Sequence, residues 1–179
     1  MFQKMTVALA IAFAGSAGAQ VIWDEAFDGD LSDDDFAPTF LGELNMGVSI
    51  VRGMTQPLAG GAGTDAFGYD IPMGGFLDSV ILTFYTPATG GTSGMVFYDS
   101  SAGANGVFLG GASYGGSDVG TDILFGSTGL DSLVGSAATS IREFGGPDAT
   151  WELEFNVVPA PASAVLLGLG GIAAIRRRR

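Results

Sequence analysis

The sequence predicts an all-β protein: an antiparallel β-sandwich or jelly roll, flanked by an N-terminal signal helix and a short C-terminal transmembrane helix. Three observations predict it. Short runs alternate between apolar and polar residues, as half-buried strands do. Turn signals rich in glycine, of which there are 30, separate those runs. The longest uncharged apolar stretches stand at the two ends of the chain.

The start reads MFQKMTVALAIAFAGSAGAQ. Lys4 supplies a positive leader, Met5 to Ala14 an apolar stretch, and Ala17-Gly18-Ala19 the small residues that a signal peptidase requires. The cut is expected after Ala19, with Ala17 and Ala19 as its recognition residues. Residues 1–19 are thus a secretory signal, and 20–157 form the exported body.

Strands are expected near Val21 to Glu25, Gly47 to Arg52, Ala66 to Ile71 and Val80 to Tyr85. Further strands are expected near Gly94 to Tyr98, Gly106 to Leu109 and Ala138 to Phe144. The cleanest is Trp151-Leu153-Phe155-Val157, which alternates with Glu152, Glu154 and Asn156. Phe36 to Leu44 is the one helical candidate, and Asp131 to Val134 is a turn or a short strand. Many short strands with glycine-rich turns pack as a sandwich or jelly roll.

The end reads NVVPAPASAVLLGLGGIAAIRRRR. Ala162 to Ile175 is apolar and uncharged. As a helix it spans roughly 21 Å, against a hydrocarbon core of about 30 Å. Arg176, Arg177, Arg178 and Arg179 favour the cytoplasmic side. Residues 158–179 therefore stop in the membrane, with the body outside. A Pro-containing turn at Pro159-Ala160-Pro161, a short Leu/Gly/Ala helix and a terminal arginine cluster together resemble a PEP-CTERM sorting signal. Ala160 stands where the family name implies Glu. The resemblance implies an exosortase as processing partner after signal peptidase. It implies a chain held only transiently in the membrane and then sorted to the cell envelope surface or the extracellular matrix. A plain C-terminal membrane anchor is the alternative.

Charge narrows the partners. All 19 acidic residues lie in the body, whose only basic residues are Arg52 and Arg142, a net charge of −17. Such a body repels nucleic acid and anionic lipid, so no nucleic-acid partner is expected. Extracellular polysaccharide is compatible.

Elimination narrows the chemistry. The chain has no His and no Cys, and Lys4 is its only lysine. Ser-His-Asp triads, Cys-His pairs, disulfides and His/Cys zinc sites are excluded, and after signal removal so is a Ser-Lys dyad. Gly111-Ala112-Ser113-Tyr114-Gly115 fits the nucleophile-elbow string but lacks a base, and it is read as a turn. Glu152 and Glu154 share a strand face, as solvated surface residues do. No catalytic residue is assigned, and the chain is expected not to be an enzyme.

The remaining site candidate is acidic: Asp24, Glu25, Asp28, Asp30, Asp33, Asp34 and Asp35. Calcium takes six to eight oxygen ligands, and such a run could supply several. The EF-hand pattern fails, because Asp33 stands where its Gly belongs and Thr39 where its Glu belongs. A solvated N-terminal segment would look the same.

The stretch Asp24 to Tyr85 resembles exported β-sandwich domains related to the bacterial pre-peptidase C-terminal domain. The segments that carry the likeness are DGDLSDDDFAPTFLGEL, TDAFGYDIPMG and LDSVILTFYT. Asp65, Phe67, Tyr69, Pro72 and Gly74 fit, whereas Ala66 stands where an aromatic is usual. Gly116-Ser117-Asp118-Val119-Gly120-Thr121-Asp122 resembles a segment of related PEP-CTERM proteins. The resemblance implies a non-catalytic accessory domain, in some cases calcium-binding, and nominates Asp33 and Asp34 near Asp65. With Asp28 and Asp30 these make the candidate Ca2+ ligands. Two functions are therefore expected to compete: a structural or interaction protein of the surface or matrix, and a calcium- or glycan-binding module.

Overall fold

The segment with the cleanest alternation, Trp151 to Val157, forms the middle of a central strand. Its four apolar residues are at most 1% exposed. Burying each is worth about 1.5–3 kcal/mol relative to leaving it in water. The computed structural model describes residues 18–55, 63–87, 92–124, 133–143 and 148–160.

The elements run in order β1 (Gln20–Asp24), α1 (Glu25–Asp28), β2 (Thr39–Glu43), β3 (Gly47–Thr55), β4 (Thr64–Asp70), β5 (Gly75–Pro87), β6 (Ser93–Tyr98), β7 (Phe108–Tyr114), β8 (Ser136–Glu143) and β9 (Ala149–Pro159). They build a four-stranded sheet, β1-β3-β9-β5, and a five-stranded sheet, β2-β4-β8-β6-β7. Between the sheets, Phe67 of β4 stacks on Trp151 of β9, ring centroids 6.0 Å apart, and meets Phe155 edge-on at 5.9 Å. Tyr69 meets Phe155 at 5.2 Å. These aromatic contacts weld the two layers.

The all-β expectation holds, but the antiparallel one needs correction. β1 pairs with β3 in parallel, and β2 pairs with β4 in parallel; the other pairings are antiparallel. The cause is the route of the chain. It alternates between sheets from β1 to β4 and reverses direction at each crossing. Every second strand returns to the same sheet with the same sense, which is what parallel pairing needs.

Three local expectations are also corrected. Phe36 to Leu44 is not helical: Thr39–Glu43 is an edge strand beside β4. Glu25 ends no strand but starts the single turn α1, capped by Asp24, whose carboxylate accepts from the Ala26 amide at 3.1 Å. The Gly111–Gly115 string is not a turn. Ala112 and Ser113 sit in β7 opposite Met95 and Gly94.

The expected signal helix, Ala17, Pro161, the expected C-terminal helix and Arg176 to Arg179 lie outside the described residues.

The β5 edge of the four-stranded sheet is covered. Along β5, the Leu82 carbonyl accepts from the Gly120 amide at 2.7 Å and the Val80 carbonyl from the Ile123 amide at 2.8 Å. The segment Gly116 to Asp122 thus blunts an edge that would otherwise pair with another chain. Beside β4, Ser32 forms an antiparallel bridge to Ala66, whose amide donates to the Ser32 carbonyl at 2.7 Å.

Register fixes which ends of the sandwich coincide. Gln20 lies opposite Ser49, and Ser49 opposite Phe155, while Pro159 ends β9 opposite Gly75. β1 and β9 run in opposite senses, so the chain enters at Gln20, level with Phe155, and leaves at Pro159, four residues further along, in the same half of the sandwich. Asp24, Arg52 and Trp151 lie toward the far end.

Candidate functional site

The far end carries an open cleft of about 620 Å³ on the outer face of the four-stranded sheet. Strand alternation sends Arg52 and Glu152 outward on neighbouring strands, and a register irregularity in β5 between Leu82 and Phe84 turns Phe84 outward as well, although Val80 and Leu82 of the same strand face inward; Asp24 stands beside them on β1. The register places Asp24 opposite Arg52, Arg52 opposite Glu152, and Glu152 opposite Phe84. Arg52 Nε donates to Glu152 Oε2 at 2.5 Å, and its Nη1 lies 3.5 Å from Asp24 Oδ2. Phe84 and Met54, 45% and 39% exposed, add apolar wall beside these charges.

Each charge has a physical setting. The hydrogen bond from Arg52 to Glu152 raises the guanidinium pKa further. Burial works to raise the Glu152 carboxyl, but Thr83 and Arg52 outweigh it and hold the group below its usual range. Glu25 forms the rim. Its carboxylate accepts from the amides of Leu31 at 2.9 Å and Met54 at 2.5 Å. It thus satisfies β3 just beyond the end of β1. Burial nonetheless raises its pKa, with those two amides opposing.

Behind the cleft, two carboxylates sit in the core, each 2% exposed. Asp65 Oδ2 accepts from Trp151 Nε1 at 2.8 Å and from Thr55 Oγ1 at 3.0 Å. Burial, then the Glu25 charge, push its pKa up to about 7 against those two donors. Glu143 Oε2 accepts from Tyr85 Oη at 3.0 Å and from Ser93 Oγ. Gly53 makes room for this arrangement: a Cβ there would stand 2.3 Å from the Trp151 ring.

The predicted calcium ligands are dispersed. Asp28 Oδ2 accepts from the Asp24 amide at 2.8 Å, and Asp34 Oδ1 from the Phe36 amide at 2.9 Å, both exposed local turn bonds. Asp30 is exposed on the cleft rim, and Asp33 is exposed. Asp65 faces the core. Asp35, outside the predicted set, is buried against Arg142 and Ser140. Among the described residues, no three acidic side chains converge as metal ligands.

Of the sorting and cleavage residues, Ala19, Pro159 and Ala160 are among the described residues, and Pro159 and Ala160 stand at the opposite end. Ala19 is exposed, immediately before β1. Pro159 is the last residue of β9, and the Ala160 amide donates to the Gly74 carbonyl at 2.8 Å.

No known protein family, no curated protein and no solved structure matches this chain.

Sequence reasoning missed the cleft. Its signal was present but incomplete: Arg52 is one of two basic residues in the body, and Glu152 stands on the cleanest strand. Only the register of β3 on β9 brings them together.

Proposed function

We propose that this chain is an exported protein, cut at both ends and delivered to the cell surface or extracellular matrix. There its acidic sandwich serves a structural or interaction role without catalysis. One observation carries the reading. The first strand starts at Gln20, right behind the expected signal-peptidase site at Ala19, and β1 enters in the same half of the sandwich from which β9 leaves, Gln20 lying level with Phe155, four residues short of Pro159. An N-terminal signal and a C-terminal sorting tail both need the membrane, and this geometry lets both reach it without threading the body. In this reading signal peptidase acts first and an exosortase second, on the tail that resembles a PEP-CTERM signal.

Removal of residues 161–179 tests it in the producing cell. The full chain is expected in the envelope or matrix fraction, open to protease on intact cells, and the tailless chain in the medium. Both forms remaining in the cytosol would refute export.

The cleft favours a second reading, a glycan-binding module. Exposed Phe84 beside a carboxylate–guanidinium pair offers an apolar face and hydrogen-bonding groups together, as sugar rings require. Retardation of the protein in gels containing the producing cell's polysaccharide, abolished by Phe84→Ala, would support it. Equal mobility with and without polysaccharide would dismiss it.

A further inference from the structure

We infer that the turn Pro72–Gly75, with Met73 at its tip and Val134 beside it, is a lipid-contact surface that seats the unprocessed body end-on upon the bilayer. The inference rests on the proposed reading of the tail as membrane-embedded.

Covalent reach carries it. The Ala160 amide is tied to the Gly74 carbonyl, so the chain is fixed at this tip. The apolar run begins at Ala162, two residues on. Two residues reach about 7 Å at full extension. The polar headgroup layer on each side of a bilayer is about 5–8 Å thick. With the tail in the hydrocarbon, the tip therefore lies within the headgroup layer.

Apolar side chains stand out from this tip, with the carboxylates of Glu43 and Asp70 set beside them. Met73 is 98% exposed, Val134 61% and Met46 37%. Gly75 brings Met46 to the same tip: a Cβ on Gly75 would lie 3.1 Å from the Met46 methyl. Gly74 holds φ +84°, a left-handed conformation open to glycine, within the tight turn closed by the Gly75 amide on the Pro72 carbonyl at 2.9 Å. An apolar tip on an acidic body does not bind lipid by charge, since a body of −17 is repelled by anionic headgroups. The tail supplies the proximity instead, by making the contact intramolecular.

The absence of cysteine allows a direct test. Single variants Met73→Cys, Leu167→Cys and Met54→Cys of the full chain are labelled with an environment-sensitive fluorophore and reconstituted in phosphatidylcholine vesicles. Met54 marks the far end, about 30 Å away along the strands. Met73 makes so little contact with the fold that its replacement leaves folding intact. The inference predicts labels at 73 and 167 blue-shifted and several-fold less quenched by aqueous iodide than the label at 54. A shielded 167 with 73 quenched as fully as 54 overturns the lipid-contact surface and leaves the membrane tail standing. A fully quenched 167 removes the membrane tail and the contact surface together. Shielding at all three sites contradicts the end-on orientation.

Discussion

Trp151 and Asp65 join the two sheets through one buried hydrogen bond, indole Nε1 to carboxylate Oδ2 at 2.8 Å. Trp151 belongs to β9 and Asp65 to β4, so the bond crosses the sandwich at the end that carries the cleft. The indole donor is shared between this carboxylate and Thr55 Oγ1, which lies at 3.1 Å. The cost of the bond is a carboxylate drawn out of water near Glu25.

That cost appears as a pH dependence. Asp65 has its folded pKa raised from 3.8 to about 7. The folded state therefore holds this proton more tightly than the unfolded state. The stability it contributes is fully present below about pH 4 and is lost as pH rises through 7. Asp65→Asn keeps an acceptor for Trp151 and Thr55 and removes the titration. Urea unfolding should show the variant gaining on the wild type between pH 4 and 8, by up to about 4 kcal/mol at about 1.36 kcal/mol per pH unit. A difference that stays constant across this range would contradict the assignment.

Gly53→Ala should destabilise the body by about 1–3 kcal/mol. The new methyl meets the Trp151 ring at 2.3 Å, and that ring is held by Phe67, Thr55 and Asp65. A urea midpoint equal to the wild type's would show that the ring shifts freely.

The two arginines of the body should differ. Arg52 pairs with Asp24 and Glu152, partners that keep contact with water, so Arg52→Ala should cost under about 1 kcal/mol and less at high salt. Arg142 pairs with Asp35, whose side chain is only 8% exposed. Arg142→Ala leaves that buried carboxylate with Ser140 alone and should cost about 1–3 kcal/mol. Denaturation of both variants in low and high salt checks the ranking, and equal costs would contradict it.

The end of β9 limits where the tail can be removed without loss. A chain ending at Val158 lacks Pro159 opposite Gly75 and the Ala160–Gly74 bond. It should be less stable than a chain ending at Ala160 by about 1 kcal/mol. Thermal unfolding of the two truncations decides this, and identical midpoints would show that the last pairing contributes nothing.

Alternation made the core legible. Trp151, Leu153, Phe155 and Val157 face inward as their period of two requires, and so do Asp65, Phe67 and Tyr69. Non-local pairing was not legible. The parallel partners of β1 and β2 depend on how the chain crosses between sheets, which no local pattern encodes. β2 escaped notice because Gly42 and the exposed Phe40 blur its alternation. The cleft lay hidden for a related reason: Arg52 and Glu152 are a hundred residues apart and meet only through the ladder. The acidic run was visible as composition, yet turn bonds, an ion pair and burial separate its members. Asp122 shows the same economy, since its carboxylate serves the amides of Val80 and Leu124 at an edge of the sheet.

The intact mass of the protein recovered from the surface or matrix of its producing cell tests the central claim most directly. A mature chain that begins at Gln20 and has lost Arg176 to Arg179 is the predicted result. A recovered chain that still runs from Met1 to Arg179 would contradict it.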